Sequence, residues 1–185
     1  VRVGDMVLAP GSFTGNKRLA AQTYDITRYL CDSENELLVA LGDGWPRSTG
    51  GVDGDRDLFG DTLGVLFQLE VNGKAVCVSD DDMEATQCGP IRQNDLQQGE
   101  VYDARLEGEL SGWHGVKTEP NTLPITGMNT VPIREQEAFA GRLLRTPGGE
   151  TVLDFGQNMA GYVEMKLTAH AGQKIKLLCG EALDE

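Results

Sequence analysis

Apolar and polar residues alternate most cleanly between Leu63 and Val71, where Leu63, Val65, Phe67, Leu69 and Val71 are interleaved with Gly64, Leu66, Gln68 and Glu70. A period of two predicts a strand with one buried face. Asn72-Gly73 follows at once, the preferred pair for a two-residue type I′ hairpin turn. That turn sets Leu69 against Val76 and Phe67 against Val78, apolar against apolar. The unbroken apolar run Leu37 to Leu41 predicts a second kind of strand, buried on both faces and ended by Gly42-Asp43-Gly44-Trp45. Val1 to Leu8 reads as a strand closed by Ala9-Pro10-Gly11, and Asp25 or Thr27 is placed to cap a short helical turn over Arg28 to Cys31.

The second half repeats the pattern with shorter pieces. Gly148-Gly149 opens a β unit, Val152 to Phe155 reads as a short strand, and Val163, Met165 and Leu167 alternate with Glu164 and Lys166. After the turn Ala171-Gly172, Ile175 and Leu177 alternate with Lys174 and Lys176, which predicts a hairpin. Residues 113–132 are rich in Gly, Pro, Thr and Asn without periodicity, so they read as a linker. The expected fold is all-β: a jelly-roll-like antiparallel β-sandwich over residues 1–112, then the linker, then a second, incomplete β unit over 133–185. The chain lacks a starting methionine and stops soon after its last expected strand, so it reads as a segment of a longer protein, truncated at both ends.

Composition narrows the function classes. The 24 glycines among 185 residues suit an all-β layout, and 16 basic against 29 acidic residues give a net charge of -13. Such a surface repels phosphate backbones and anionic lipid, so neither nucleic acid nor membrane is an expected partner. No stretch approaches the roughly twenty apolar residues of a membrane span, and the start does not resemble a signal peptide. Cys31, Cys77, Cys88 and Cys179 are too scattered for a metal site or a disulfide framework, and are expected as buried free thiols.

Candidate chemistry gathers in three places. Asp43, Trp45 and Arg47 put an aromatic face beside an acid and a guanidinium at a loop tip, a combination suited to sugar contact. Asp103 and Arg105 would share one side of a strand, either as an exposed ion pair or as a rim for sugar hydroxyls. Asp53, Asp55 and Asp57 have the spacing of the first three ligands of a calcium loop, but Leu58 and Gly64 stand where its glycine and closing glutamate belong. A solvated acidic loop is the stronger expectation, and no cofactor is required. His114 and His170 are the two histidines, each apart from any partner triad, and no nucleophile elbow or phosphate loop is present. Asp154-Phe155-Gly156 matches a kinase tripeptide without the other kinase motifs.

Six segments carry a resemblance that composition cannot supply. VRVGDMVLAPG, QTYDITRYL, ALGDGW, GEVYDARLE, LDFGQNMAGYVEMKL and GEALDE occur in the order and at the spacing of the N-terminal β-sandwich region of bacterial α-L-rhamnosidases, which this chain resembles along nearly its whole length. The resemblance implies an inverting glycoside hydrolase acting on rhamnose-containing glycosides or polysaccharides. Its acid and base carboxylates, roughly 6.5 to 9.5 Å apart, would lie on an (α/α)6 barrel further along the same polypeptide. No catalytic residue carries over, and the fragment alone is expected to be inactive. The chain departs from the family at Thr14-Gly15-Asn16 before Lys17-Arg18, and at Pro46 after Trp45.

Some related modules bind rhamnose through calcium, for which Asn16, Asp43 and the Asp53 to Asp61 loop are the nearby candidates. Within LDFGQNMAG, residues Asp154, Phe155, Gly156, Gln157, Asn158 and Gly161 suit a tight turn whose backbone the Gln157 and Asn158 amides would satisfy, in preference to a loop touching substrate. Three roles follow: a non-catalytic accessory portion of a rhamnosidase, an independent carbohydrate-binding module, or a structural domain that docks the barrel.

Overall fold

The computed structural model describes residues 2–3, 6–7, 17–50, 54–129, 131 and 133–183. The chain divides into two units, Val1–Ile133 and Arg134–Glu185. Both are all-β, built from two-stranded ladders, and no described helix is long and apolar enough to cross a membrane.

In the first unit, β1 (Arg2–Val3) pairs antiparallel with β2 (Met6–Val7), where the Val1 to Leu8 strand was expected. The Ala9-Pro10-Gly11 stop lies outside the described residues. Strand β3 (Leu19–Ala21) precedes a 3-10 turn over Thr27–Tyr29, and the Asp25 carboxylate accepts from the Thr27 amide at 3.0 Å and its hydroxyl at 2.6 Å. Asp25 thus holds Thr27, but the N-cap is Ile26 with no side-chain cap bond, and the turn starts one residue before the expected Arg28 to Cys31. A four-residue helix, α1 (Gly44–Arg47), follows, with Pro46 in a first turn where its missing amide costs nothing.

The strongest ladder prediction holds at the turn and slips beyond it. Strand β4 (Gln68–Val71) pairs with β5 (Lys74–Val78) through Asn72 and Gly73, whose φ values of 51° and 74° meet the type I′ requirement. Val71 faces Lys74 and Glu70 faces Ala75, but Leu69 faces Cys77 and Gln68 faces Val78. Val76 is the extra residue of a bulge. The expected pairs Leu69 with Val76 and Phe67 with Val78 are thus displaced by one position. Residues 63–67 lie outside the strand.

Strand β6 (Glu84–Ala85) and then β7 (Ile91–Asp95) and β8 (Gly99–Tyr102) come next, the last two forming an antiparallel pair. A 3-10 turn over Ala104–Leu106 leads to β9 (His114–Gly115), which pairs with β6, and to β10 (Ile125–Gly127), which pairs parallel with β3. The segment 113–132 thus supplies two strands where a linker was expected. The β3–β10 ladder joins Leu19 to Ile125, so polar, aperiodic sequence closes the unit by backbone bonds, which composition does not report.

Leu37 to Leu41 forms no ladder, and Leu37 and Leu38 are 51% and 56% exposed. An apolar run states a demand for burial; it does not supply the neighbouring strands that would meet it. Among the described residues the two buried ones are polar, Ser48 and Asp95, and no large side chain is fully enclosed. The four cysteines are free, as expected, but all are exposed rather than buried, since no apolar core closes over them.

The second unit contains β11 (Arg142–Arg145) and β12 (Thr151–Asp154), an antiparallel hairpin. Gly148-Gly149 is the tip of this hairpin rather than its opening, since β11 precedes it. The expected strands over 162–167 and 174–177 do not form, although the turn between them does: the Gln173 amide bonds the His170 carbonyl at 3.0 Å and Gly172 has φ 85°. A turn needs only local bonds, whereas a lone hairpin is marginal without a surface to cover its apolar face.

Candidate functional site

The first unit concentrates its enclosed polar groups beside α1 and β7. The β7–β8 turn is built on Asp95, whose Oδ1 accepts from the amides of Gln97 at 2.8 Å and Gln98 at 2.9 Å, with Gly99 at φ 82° completing the reversal. The other oxygen, Oδ2, accepts from the Thr49 amide at 2.8 Å and hydroxyl at 3.1 Å, and lies 3.1 Å from Arg56 Nη1. The Asp95 side chain has no exposed surface. Burial works to raise its pKa, but the hydrogen bonds from Gln98, Thr49 and Gln97 outweigh it and pull the carboxyl down to about 2. Next to it, Ser48 Oγ accepts from the Leu96 amide at 2.8 Å, so the segment after α1 is bonded to the end of β7 at two points.

Arg56 reaches from Asp95 to Asp43 Oδ2 at 2.9 Å, and Arg47 stands 3.8 Å from Asp43 and 3.3 Å from Asp57. The Asp43 amide donates to the Asn94 carbonyl at 2.9 Å. These contacts frame a cleft of about 380 Å³ lined by Leu41, Gly42, Asp43, Arg47, Arg56, Ile91, Arg92, Gln93 and Asn94. Such a volume suits a small polar ligand. Gly42 lets the Asn94 side chain close on the wall, because a Cβ there would sit 2.2 Å from Asn94 Oδ1 and push it aside.

Of the sequence candidates, Asp43 and Arg47 line this cleft together. Trp45, 58% exposed, does not line it. Asp103 and Arg105 do not share a strand face: Asp103 caps the 3-10 turn after β8, accepting from the Arg105 amide at 3.1 Å, Nε at 2.8 Å and Nη2 at 2.6 Å. The Arg105 side chain leads the interactions that draw the Asp103 carboxyl down to about 2, so the pair is turned on itself. Arg56, Arg92, Asn94 and Asp95 were not anticipated. The series Asp95-Leu96-Gln97-Gln98-Gly99 is a readable turn signature, but the contact of Asp95 with Thr49 and Arg56 has no local signal.

Among the described residues no group of three or more His, Cys, Asp or Glu is placed to hold a metal ion. Asp57 is engaged by Arg47, Asp55 offers its carbonyl to the Gly50 amide at 2.8 Å, and Asp53 and Asn16 lie outside the described residues. In the second unit, Asp154 Oδ1 accepts from the Gly156 amide at 2.8 Å, with Gly156 at φ 77°, and Oδ2 meets Arg142 Nη2 at 3.0 Å. The turn is satisfied by Asp154 rather than by the exposed Gln157 and Asn158, which correct the expectation placed on their amides. Phe155 packs over Gly141, where a Cβ would meet the ring at 3.1 Å, and Gly161 is exposed.

Among the described residues, five antiparallel two-stranded ladders and one parallel one put the chain in the all-β class. Residues 1–144 match the family model described as the alpha-L-rhamnosidase N-terminal domain, and residues 144–185 match the bacterial alpha-L-rhamnosidase concanavalin-like domain. The chain belongs to the alpha-L-rhamnosidase N-terminal domain family. It is 33% identical to an alpha-L-rhamnosidase of Streptomyces avermitilis, with 99% of this chain and 19% of that protein covered. An alpha-L-rhamnosidase of Formosa agariphila is 32% identical over 98% of this chain and 21% of its own length, and one of Alteromonas sp. is 30% identical over 95% and 21%. The chain therefore spans about a fifth of the curated relatives it matches. No solved structure matches it.

Proposed function

We propose that this chain is the non-catalytic accessory β portion of an α-L-rhamnosidase that removes terminal α-L-rhamnose from glycosides or polysaccharides with inversion. The acid and base carboxylates belong on an (α/α)6 barrel further along the same polypeptide, which these β units support. The observation that carries this reading is the tiling of the chain by two consecutive rhamnosidase domain models that meet at residue 144, within relatives about five times its length. The exposed Leu37, Leu38 and Leu41 agree with a surface that another part of the protein covers. The test is hydrolysis of p-nitrophenyl α-L-rhamnoside: the full-length polypeptide turns it over and the 185-residue chain does not. Turnover by the 185-residue chain overturns the proposal.

The cleft beside α1 favours a second reading, a carbohydrate-binding module for L-rhamnose. Calorimetric titration of the chain with L-rhamnose, with and without calcium, decides it. A flat trace in both removes the module, and heat only with calcium assigns the Asp53 to Asp61 loop a role that its described residues do not by themselves support.

A further inference from the structure

The three guanidiniums of the cleft are not equivalent. Arg47 is matched by Asp43 and Asp57, and Arg56 by Asp43 and Asp95. Arg92 makes no ion pair among the described residues. Its Nη1 donates to the carbonyls of Gln87 at 2.6 Å and Gly89 at 3.0 Å, which fixes the side chain and leaves the donors of Nε and Nη2 uncommitted. The neighbouring carboxylate whose charge it feels, Asp103, already accepts from Nε and Nη2 of Arg105. Backbone geometry singles out the same residue. Ile91 faces Tyr102 and Gln93 faces Val101, so Arg92 is the unpaired residue of a bulge in β7, a device that re-aims a side chain.

We propose that this cleft binds a uronate, an anionic pyranose whose carboxylate takes the open edge of Arg92. A guanidinium fork matches a planar carboxylate in two parallel bonds. Asp43, Gln93 and Asn94 offer donors and acceptors for ring hydroxyls, and Leu41 and Ile91 offer aliphatic surface to the ring. A phosphate ester is disfavoured by Asp43 on the same wall and by the net charge of -13, whereas a single carboxylate matches the single unpaired cation. The glycan half of this inference rests on the proposed rhamnosidase role, and the carboxylate half does not.

The experiment is calorimetric titration of the 185-residue chain with D-glucuronate, D-glucose and acetate, the first two alike but for the carboxylate. Glucuronate is expected to bind about tenfold or more tightly than either of the others. The same affinity falls by about tenfold in Arg92→Gln and less in Arg92→Lys, while Lys117→Gln, which removes an exposed cation paired with Glu119, leaves it unchanged. Equal binding of glucose or of acetate overturns the proposal, as does an unaltered affinity in a folded Arg92→Gln variant checked by circular dichroism. If that variant does not fold, the comparison of the three ligands on the parent chain decides alone. A full-length protein inactive on the rhamnoside would sink the enzymatic role and leave these titrations standing.

Discussion

Asp95 and Asp154 carry out the same local task in the two units with very different reach. Each ends a strand, accepts the backbone amide of the turn that follows and meets an arginine. Asp95 is wholly enclosed and ties β7 to Thr49 and Arg56, residues from a separate stretch of chain. Asp154 is bonded to Gly156, two residues on, and to Arg142 across its own hairpin, and remains open to water. A turn signature is therefore local chemistry, and enclosure by remote segments is what converts it into an organising centre.

Breaking the larger centre has the larger effect. Asp95→Ala leaves the amides of Thr49, Gln97 and Gln98 without their acceptor, and their hydrogen-exchange protection is expected to fall by about tenfold or more, with β11–β12 as an unaffected internal control. Gly42→Ala pushes the exposed Asn94 side chain aside and displaces its 2.8 Å bond to Glu100, at a cost of about 1 kcal/mol in urea unfolding, the worth of that one bond. Gly73→Ala meets no atom within 4 Å, so its cost of about 1 kcal/mol is purely that of the φ of 74°, and Gly73→Asn should recover part of it. Asp154→Asn retains an oxygen for the Gly156 amide and weakens only an exposed ion pair; thermal melts are expected to show the smallest shift of the series.

Acid should separate the two aspartates. Both folded carboxyls lie below the ordinary value of 3.8, Asp154 chiefly through the Gly156 amide and then Arg142. A lowered folded pKa gives stability that is present above the unfolded value and lost as pH falls through the folded one. For Asp95 that window runs from 3.8 down to about 2. On acid titration followed by NMR, the Gly156 amide should shift before those of Thr49 and Gln98.

What the sequence discloses follows the same division between local and remote. The Asn72-Gly73 turn was readable because its φ requirement is written into two residues, whereas the bulge at Val76 breaks the expected register by one residue that alternation does not mark. The short strand before Phe155 was readable for the same reason. Asp43 and Arg47 were legible as neighbours in one loop. Arg56, Arg92 and Asp95 were not, because what gives them meaning is proximity across as many as 52 positions in the chain, from Asp43 to Asp95. The Leu37 to Leu41 run and the 162–177 alternation record what the chain could bury, and burial depends on partners that a pattern does not name.

A ladder of two strands has no interior member. Each described strand therefore has one ladder partner, and wherever its other edge is left open, unlike that of β7 at the Asn94 carbonyl, the edge is a template onto which another strand can add. The excess of acidic groups holds copies of the chain apart at neutral pH, and that protection fades toward the isoelectric point near 4.5 or under high salt. Storage in dilute, low-salt buffer well above that point keeps these edges from zipping together.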